Sequence, residues 1–421
     1  MNNLYELATQ LFPICRSITG NGVRETLSIL SEIYPMDIVE VPTGTKVFDW
    51  EVPKEWNVND AFVMDKSGNK VIDFEKNNLH LMGYSMPVNK KMTLEELDGY
   101  LYSLPEQPEW IPYVTSYYKE RFGFCLSHNQ RKALEPGLYD VVVDSELKSG
   151  HLTYGEIYIE GDTEEEVLIS TYVCHPSMGN NEISGPCVSI YLADYISKLV
   201  DRKYSYRFVF IPETIGSITY LSKHYKKLKE NVIAGFNISC VGDNRTYSII
   251  DTKYGDTYAD KIANNVLKFH YPEYKKYSFL SRGSDERQYN APGIDLPVCG
   301  LCRSKYGEYP EYHTSADDLS VISQEGLEGS LELMKEIVMV IEGNEYYKVK
   351  TLCEPQLGKR GLYPTHSYKG SADSVQAMMD LIAYSDGKND LIDISEIIGV
   401  PVKELLTIVS RLSENNLLGK V

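Results

Sequence analysis

The stretch from Glu165 to Val200, EEVLISTYVCHPSMGNNEISGPCVSIYLADYISKLV, predicts a strand, a polar loop and a helix in direct succession. The run EEVLISTYV is typical of a buried strand, and order resumes at Ser184-Gly185, where a helix begins. His175 lies at the carboxyl end of the strand, as the first ligand of a metal site would. Six residues later, where an acidic ligand would be useful, the chain has Asn181.

The same alternation continues toward the carboxyl terminus. Strands are predicted at YRFVFIP, VIAGFNISCV and LPVCGLC, and helices at GSITYLSKHYKKLK, YADKIANNVLKFH and SLELMKEIVMVIEG. Alternating strands and helices imply right-handed crossovers. The fold class is therefore α/β, with a mixed, largely parallel sheet sandwiched by helices.

A β-rich segment interrupts this α/β pattern near the amino terminus. Residues 1–45 predict two helices and a strand, whereas residues 46–150 contain two hairpin signals, AFVMDKSGNKVIDF and LYDVVVDSELKSGHLTYGEIYIEG. The helix TLEELDGYLYSL lies between them. We therefore expect an α/β domain formed by 1–45 and 151–345, with 46–150 inserted as a β-rich domain.

The remaining residues, 346–421, predict a third domain. The sequence DLIDISEIIGVPVKELLTIVSRLSENNLLGKV is typical of a winged helix-turn-helix, with a Gly-Val-Pro turn between two helices. The second helix has little positive charge, whereas DNA binding requires lysine or arginine against phosphates. A helical cap or a protein-contact domain is the interpretation we favour.

Composition restricts the classes of partner. The chain has 421 residues, 43% of them hydrophobic and 24% charged, with a formal net charge of −18. This acidity argues against nucleic acid as a partner. No apolar run approaches the roughly 20 residues that span a bilayer, and no signal peptide is predicted. We expect a cytoplasmic protein without a membrane partner; a homo-oligomer is left open.

The cysteines do not indicate a disulfide framework. Eight are scattered along the chain, most of them in apolar contexts, which suits reduced and buried thiols. The single CxxC, Cys299 to Cys302, falls on a predicted strand, where residues three apart point to opposite faces. These two cysteines are expected to be structural.

Chemically useful side chains follow three consecutive predicted strands. His175 follows the first, Glu213 the second, and the segment from Cys240 to Asp243 the third. Ligands of parallel sheets bind at the carboxyl ends of strands, so these positions are expected to meet. A second histidine, His313, lies in the later loop EYPEYHTSADDL. Imidazole suits zinc, and a nearby carboxylate such as Glu213 can move the protons of hydrolysis.

These residues resemble a known superfamily. The motifs YVCHPSMGNNEISG, IPETIGS, NISCVGD, RGSDERQ and YHTSADDL are similar in order and spacing to those of zinc aminopeptidases, whose superfamily includes glutamate carboxypeptidase, glutaminyl cyclase and the transferrin receptor ectodomain. The segments ICRSITGNGVRETL, FDWEVPKEWN and YYKERFGFCLSHNQ are more specific. With them, nearly the whole chain resembles a bacterial aminopeptidase-like family of uncharacterised function, often labelled polysaccharide biosynthesis.

The resemblance implies a site that is only partly retained. His175 and His313 match the first and last zinc histidines, and Glu213 matches the general base. The other three positions hold residues without a carboxylate. Asn181 replaces the bridging aspartate, Thr214 replaces a carboxylate ligand, and Cys240 replaces an aspartate ligand, with Asp243 three residues later.

Loss of those carboxylates argues against two zinc ions. Two ions about 3.5–4 Å apart need negative ligands to offset their mutual repulsion. One zinc ion is expected, held by His175, His313 and a third group that the sequence leaves open. The candidates are Cys240 as thiolate, Asn181 as a weak oxygen contact, and three acidic side chains: Asp243, Asp285 and Glu286.

The substrate side of the site is predicted from two segments. Asp285, Glu286 and Arg287 lie where the superfamily places residues near the substrate pocket, and an arginine there can grip a carboxylate; a surface salt-bridge cluster is the alternative. Three tyrosines precede His313 in the chain: Tyr306, Tyr309 and Tyr312. They either line the substrate pocket or pack within the protein.

The leading hypothesis is a mononuclear zinc hydrolase of amide or peptide bonds, with Glu213 activating water. Its substrate would be a small peptide, or an acylated amine on a cell-surface sugar precursor. One alternative is a non-catalytic binding scaffold with a degenerate site, and another is a regulator acting through the winged-helix tail. A cyclase-type transfer at a single zinc ion is a further alternative.

Overall fold

A computed structural model describes residues 3–362 and 371–421, without the side chains of 371–374. Contacts between α-carbons divide the chain into two compact units. The first comprises Met1–Gly255 and Lys275–Leu331, and the second comprises Asp256–Tyr274 and Glu332–Val421. The division into the three domains expected from the sequence stays a prediction.

The helices agree closely with those expected from sequence periodicity. One is shorter than predicted, because the helix in TLEELDGYLYSL ends at Asp98, before Gly99, and the chain then forms a short strand. The α-helices are α1 Leu4–Leu11, α2 Asn21–Ser31, α3 Leu94–Asp98, α4 His128–Lys132, α5 Ser184–Ser197, α6 Ile215–Asn231, α7 Tyr258–His270, α8 Glu286–Tyr289, α9 Gln324–Gly343, α10 Ser371–Tyr384, α11 Leu391–Ile398 and α12 Val402–Glu414. None of those in the described residues is long and apolar enough to cross a membrane.

The strands form several sheets. In chain order they are β1 Asp37–Pro42, β2 Lys46–Val47, β3 Trp50–Glu51, β4 Glu55–Met64, β5 Lys70–Asp73, β6 Val88–Thr93, β7 Leu101–Tyr102, β8 Phe124–Cys125, β9 Leu138–Lys148, β10 His151–Ile159, β11 Glu166–Tyr172, β12 Ser205–Ile211, β13 Val232–Ile238, β14 Ser248–Ile250, β15 Lys275–Tyr277, β16 Val298–Cys302, β17 Tyr346–Val349, β18 Asp386–Asp390 and β19 Leu418–Lys420.

The largest sheet of the described residues has the strand order β1-β10-β12-β11-β13-β16-β14-β15. Its centre is parallel: β11 pairs with β12 and β13, and β13 pairs with β16. On either side β10 and β14 run antiparallel to their inner neighbours. Every residue of β11 and of β12 is buried, as the uninterrupted apolar runs predicted.

This parallel centre positions the site. Since β11, β12, β13 and β16 point the same way, their carboxyl ends meet at one edge of the sheet. The segments that follow carry His175, Glu213, Cys240 and His313, the first three directly and His313 eleven residues after β16. The predicted α/β sheet is confirmed. The first two helices pack nearby, α1 on α5, and α2 on α5 and β10.

A second sheet of the described residues has the order β5-β4-β9-β6 and is antiparallel. Its hairpin, β4 and β5 around the Ser-Gly-Asn turn, was predicted and is confirmed. The other predicted hairpin, at Lys148-Ser-Gly, is wrong. There β9 pairs with β4 and β6, whereas β10 pairs with β1 and β12 in the large sheet.

Gly150 explains how the chain passes from one sheet to the other. Its α-carbon lies so close to Glu55 that an added Cβ would stand 2.3 Å from Oε2 of that residue. The Glu55 carboxylate accepts hydrogen bonds from the His151 backbone N–H and from Arg24. The Ser-Gly sequence therefore serves close packing across two sheets, which short-range turn signals do not distinguish from a hairpin.

The second unit contains the predicted winged helix-turn-helix. α11 ends before Gly399, whose φ of +70° favours glycine, and α12 begins after Pro401. β19 pairs with β17, which also pairs with β18. On α12, buried Leu405 and Leu412 face the interior of the unit.

Candidate active site

His175 is a buried imidazole oriented by a carboxylate that the sequence had not indicated. Its Nδ1 lies 2.9 Å from Oε2 of Glu182, and the same oxygen accepts the His175 backbone N–H at 3.0 Å. Glu182 and Asn181 lie on a π-helical turn, Gly179–Ile183, a geometry frequent at functional sites. With Nδ1 bound to Glu182, the other ring nitrogen, Nε2, is directed to Glu213, whose Oε2 is 3.6 Å away.

Arg16 supports this arrangement from behind. Its Nε lies 3.4 Å from Oε1 of Glu182 and donates a hydrogen bond of 2.9 Å to the His175 carbonyl. Its Nη1 donates to the carbonyl of Leu11 and to Oγ1 of Thr26. Both charged side chains of the pair are 1% exposed. A carboxylate orienting an imidazole, itself held by a buried guanidinium, fixes which nitrogen faces the site.

Glu213 lies on a strained turn at the end of β12. The next residue, Thr214, has φ +65°, and its N–H donates to Oδ1 of Asp285 at 2.7 Å. Arg287 donates from Nη2 to Oγ1 of Thr214, and the Glu213 N–H donates to the Cys174 thiol at 3.2 Å. Thr214 is thus tied to two predicted substrate-side residues, which fix the turn that carries Glu213.

His313 completes the edge with a second imidazole. Its ring centroid is 5.5 Å from that of His175, and Tyr312 stacks on it at 3.9 Å. The Nε2 atom is buried without a hydrogen-bond partner among the described residues. Burial, together with His175, lowers the pKa of His313 to about 3. The ring is therefore neutral and offers a free lone pair.

Asn181 and Cys240 meet beside the histidines. The Asn181 side-chain amide donates to the Tyr172 hydroxyl at 2.9 Å and to the Cys240 thiol at 3.7 Å. Its Oδ1 is buried and lacks a partner in the described part of the chain. Burial raises the pKa of Cys240 well above its usual range, so the thiol is protonated when no metal binds it.

Two predicted candidates are occupied elsewhere. The carboxylate of Asp243 accepts from Asn180, from the Arg245 backbone, and from the backbone and hydroxyl of Ser304. Glu286 accepts from backbone N–H groups and from the Tyr306 hydroxyl, while its other oxygen accepts from Asn237. The oxygens of both carboxylates are thus engaged by buried protein donors, which leaves them less available to a metal ion.

Three residues of this edge share an unusual backbone conformation. Thr214, Cys240 and His313 all have φ between +54° and +65°, a region that is costly for residues other than glycine. Such strain persists where the surrounding structure enforces it, and it is often found at functional sites. Its clustering here supports the predicted site independently of residue chemistry.

One cluster of described side chains could hold a metal ion. Among the described residues, one group of three acidic, cysteine or histidine side chains has its ligand atoms within 4.8 Å of one another. Its members are Cys174, His175 and Glu182. The Arg16 charge beside Glu182 disfavours a cation within that group. Two other potential ligand atoms, His313 Nε2 and Asn181 Oδ1, are buried without a hydrogen-bond partner among the described residues, and His175 Nε2 faces Glu213.

The surroundings of His175 and Glu213 raise the pKa of both groups, for different reasons. Burial opposes the charged form of His175, but Cys174 and Glu182 outweigh it and hold the pKa well above its usual range. Burial raises the pKa of Glu213, and His175 opposes that shift. A carboxylate of raised pKa close to a cationic centre suits proton transfer near neutral pH.

A cavity of about 430 Å³ lies along α6, the helix that follows the Glu213 turn. It is bounded by Phe48 and Trp50 near the β2–β3 turn, by Ile218 and Tyr225 of α6, and by Gln288, the residue after Arg287. Phe48 is 55% exposed and Trp50 is 38% exposed. Its walls are mainly apolar and aromatic, as in small-molecule sites.

Comparison with known proteins identifies the family. Residues 5–344 match the family described as a domain of unknown function, DUF4910. The chain belongs to this family. Residues 344–420 match the winged helix-turn-helix family. A Clostridium acetobutylicum protein named "Putative polysaccharide biosynthesis protein with aminopeptidase-like domain" is 51% identical over 396 residues, 93% of this chain and 90% of that protein. The aminopeptidase-like resemblance is confirmed.

Solved structures agree with this assignment. The crystal structure of a "putative peptidase" from Clostridium acetobutylicum has a TM-score of 0.94 and 48% identity, covering 99% of this chain and 96% of that one. BSAP, a zinc aminopeptidase from Bacillus subtilis, has a TM-score of 0.58 and 11% identity, covering 80% and 94%. The second likeness establishes the aminopeptidase fold of the DUF4910 region.

Sequence reasoning missed several residues of the site. Glu182 directly follows Asn181, but nothing in a single sequence shows which residue of a polar loop turns toward His175. Arg16 lies 159 residues before His175. Tyr113 and Tyr117 come from the β-rich segment, and the Tyr113 ring contacts both histidines. The predicted roles of the other site residues remain predictions.

Proposed function

We propose that the chain is a metal-dependent hydrolase of amide or peptide bonds that uses one zinc ion. The observation that carries the proposal is the pair of imidazoles at one sheet edge. His175 directs Nε2 toward Glu213, and the buried Nε2 of His313 lacks a protein partner in the described residues. Two imidazole nitrogens beside a carboxylate suit a catalytic metal better than a structural one.

Asn181 is the third ligand that the geometry favours. Its amide nitrogen is engaged by Tyr172, and its Oδ1 is buried without a partner among the described residues. Cys240 remains the alternative, as a thiolate formed when metal displaces its proton. A bound zinc ion would supply Lewis-acid polarisation of the substrate and of the attacking water.

The chain itself would perform the proton transfers. Glu213 would accept a proton from the attacking water and later deliver it to the departing amine. The N–H to Cys174 and the Thr214 contacts with Asp285 and Arg287 keep its turn in place. Arg287 has a buried Nε without a partner in the described chain, which supports a contact with an anionic substrate group.

The proposed substrate is a small peptide or an acylated amine. The name of the Clostridium relative supports an acylated amino group on a sugar precursor. We propose a cytoplasmic location, and we infer no membrane partner.

Zinc content tests the proposal directly. We expect about one zinc ion per chain in protein purified without chelator, and its loss in His175→Ala and in His313→Ala. His151→Ala is the matched control, because that imidazole is 42% exposed and lies outside the site. About two ions would refute the mononuclear arrangement, and none after added zinc would refute the hydrolase.

Activity tests the role of Glu213. On a panel of aminoacyl 4-nitroanilides and N-acetylated amino sugars, Glu213→Gln should lower kcat by about 10²–10⁴-fold while zinc content is unchanged. Equal rates for the variant and the wild type would show that another group moves the protons. Rates on the same panel also show which substrates the wild type prefers.

A non-catalytic scaffold is the second candidate. The neutral side chains of Asn181 and Thr214 and the protonated thiol of Cys240 favour it, since they remove charge that a dinuclear hydrolase requires. Under this alternative the zinc-loaded wild type would bind ligands from the panel and hydrolyse none. A regulatory role for the winged helix would instead show as retardation of DNA at low salt.

A further inference from the structure

The segment 111–117, from the β-rich part of the chain, is fastened to the loop that carries His313. The N–H of Tyr113 donates to the His313 carbonyl at 2.9 Å, and the N–H of Ser315 donates to the Ile111 carbonyl at 2.8 Å. Ile111 donates in turn to the Ser315 hydroxyl. These bonds place Tyr113 against the site through the backbone, so its position does not depend on loose side-chain packing.

The Tyr113 ring packs against both imidazoles. Its centroid is 5.4 Å from that of His175 and 5.0 Å from that of His313, in edge arrangements. Its hydroxyl oxygen is 2.7 Å from that of Tyr117, and both residues are half-buried. Tyr113 thus contacts both residues proposed to hold the metal, and its hydroxyl is paired with that of Tyr117.

The hydroxyl pair contains one hydrogen more than its own bond uses. Each phenol has a single O–H, and in the 2.7 Å bond one hydroxyl donates while the other accepts. No other hydrogen bond of either hydroxyl is found within the described residues. The accepting hydroxyl is therefore free to donate to a group that enters the site.

The pair remains a donor near neutral pH. The pKa of an ordinary tyrosine is about 10, so both phenols keep their hydrogens there. Negative charge that develops nearby would therefore be met by O–H groups rather than by oxygen anions.

We propose that the Tyr113–Tyr117 hydroxyl pair is an oxyanion-binding subsite, in which Tyr117 donates its hydrogen to a substrate oxygen and Tyr113 orients it. This deepens the proposed hydrolase and rests on it for the identity of that oxygen, the carbonyl oxygen of the bond to be cleaved. Tyr113 is held by backbone bonds and packs on both imidazoles, so it suits the orienting role and leaves the donor role to Tyr117. A preorganised donor stabilises the charge that this oxygen gains.

Binding of inorganic phosphate, a tetrahedral oxyanion, tests the subsite without a known substrate. Calorimetry on the zinc-loaded full chain should show Tyr117→Phe weakening phosphate about 10- to 100-fold, as loss of a hydrogen bond to an anion predicts. Tyr113→Phe keeps the donor but not its orientation and should weaken phosphate less. Tyr118→Phe is the matched control, since Tyr118 is 57% exposed and contacts Trp50.

The outcomes separate this inference from the proposed function. Zinc content should be equal in all four proteins. On an amide that the wild type cleaves, Tyr117→Phe should lower kcat about 10²–10³-fold with little change in KM. The subsite would be overturned if the wild type did not bind phosphate, or if Tyr117→Phe and Tyr118→Phe weakened phosphate binding equally. Phosphate binding that depends on Tyr117 without any amide hydrolysis would overturn the hydrolase and leave the subsite standing.

Discussion

Glu182→Gln is the substitution that probes the candidate site most sharply. The change keeps the size and shape of the side chain but removes the charge between Arg16 and His175. Its Oε2 now accepts two hydrogen bonds from His175, one from the backbone and one from Nδ1. Both residues of the ion pair are 1% exposed, so water cannot replace the lost interaction.

Two magnitudes follow from this geometry. Breaking a buried ion pair by removing one partner costs about 3–5 kcal/mol, because the Arg16 charge is left buried. The three hydrogen bonds that Arg16 makes to other oxygens put the expected loss of unfolding free energy near the lower figure, about 3 kcal/mol. Loss of the carboxylate that orients His175 should weaken zinc about 10- to 100-fold.

The assay measures both quantities on the same protein. Urea unfolding of the metal-free chain gives the stability change, and competition with a chelator of known zinc affinity gives the change in binding. Glu120→Gln is the control, since its ion pair with Lys54 lies on the surface, and it should leave both quantities unchanged. A Glu182→Gln variant with wild-type stability and zinc affinity would refute the argument that this carboxylate orients His175.

Three other substitutions test separate features of the structure. Burial raises the pKa of Asp285 to about 7, so the folded chain holds a proton that the unfolded chain releases above about pH 4. Urea titrations of metal-free protein should therefore show stability falling by a few kcal/mol from about pH 4 to about pH 7, and falling less in Asp285→Asn. Gly150→Ala should lower the unfolding free energy by about 1–3 kcal/mol, because its Cβ would meet Glu55. Asn181→Asp combined with Cys240→Asp supplies two carboxylates and should raise zinc content from about one to about two ions per chain.

Each of these has its own control or contrary result. Gly358→Ala should be nearly neutral in the same unfolding assay, because an added Cβ there meets nothing within 4 Å. A pH profile of Asp285→Asn that matches the wild type would assign the titration to another group. If the double carboxylate variant still binds one ion, charge is not what limits the site to a single metal.

Much of the fold was predictable because its signals are local. The continuous apolar runs of β11 and β12 indicated buried parallel strands, and both strands are buried throughout. Because the carboxyl ends of parallel strands meet at one edge, His175 and Glu213 were expected to lie close together. In the structure His175 Nε2 is 3.6 Å from Glu213 Oε2. The hairpin at Lys148-Ser-Gly was predicted on equally local grounds and is wrong, since strand pairing is a long-range choice.

Periodicity and chain order suffice to predict the α/β pattern, the winged helix, and the loops that carry the two histidines and Glu213. The groups that support these residues follow from the folded structure alone. Glu182 orients His175, Arg16 neutralises Glu182, and Tyr113 packs against both imidazoles. These contacts join residues far apart in the chain or adjacent in an irregular loop, where neither spacing nor residue type fixes the direction of a side chain.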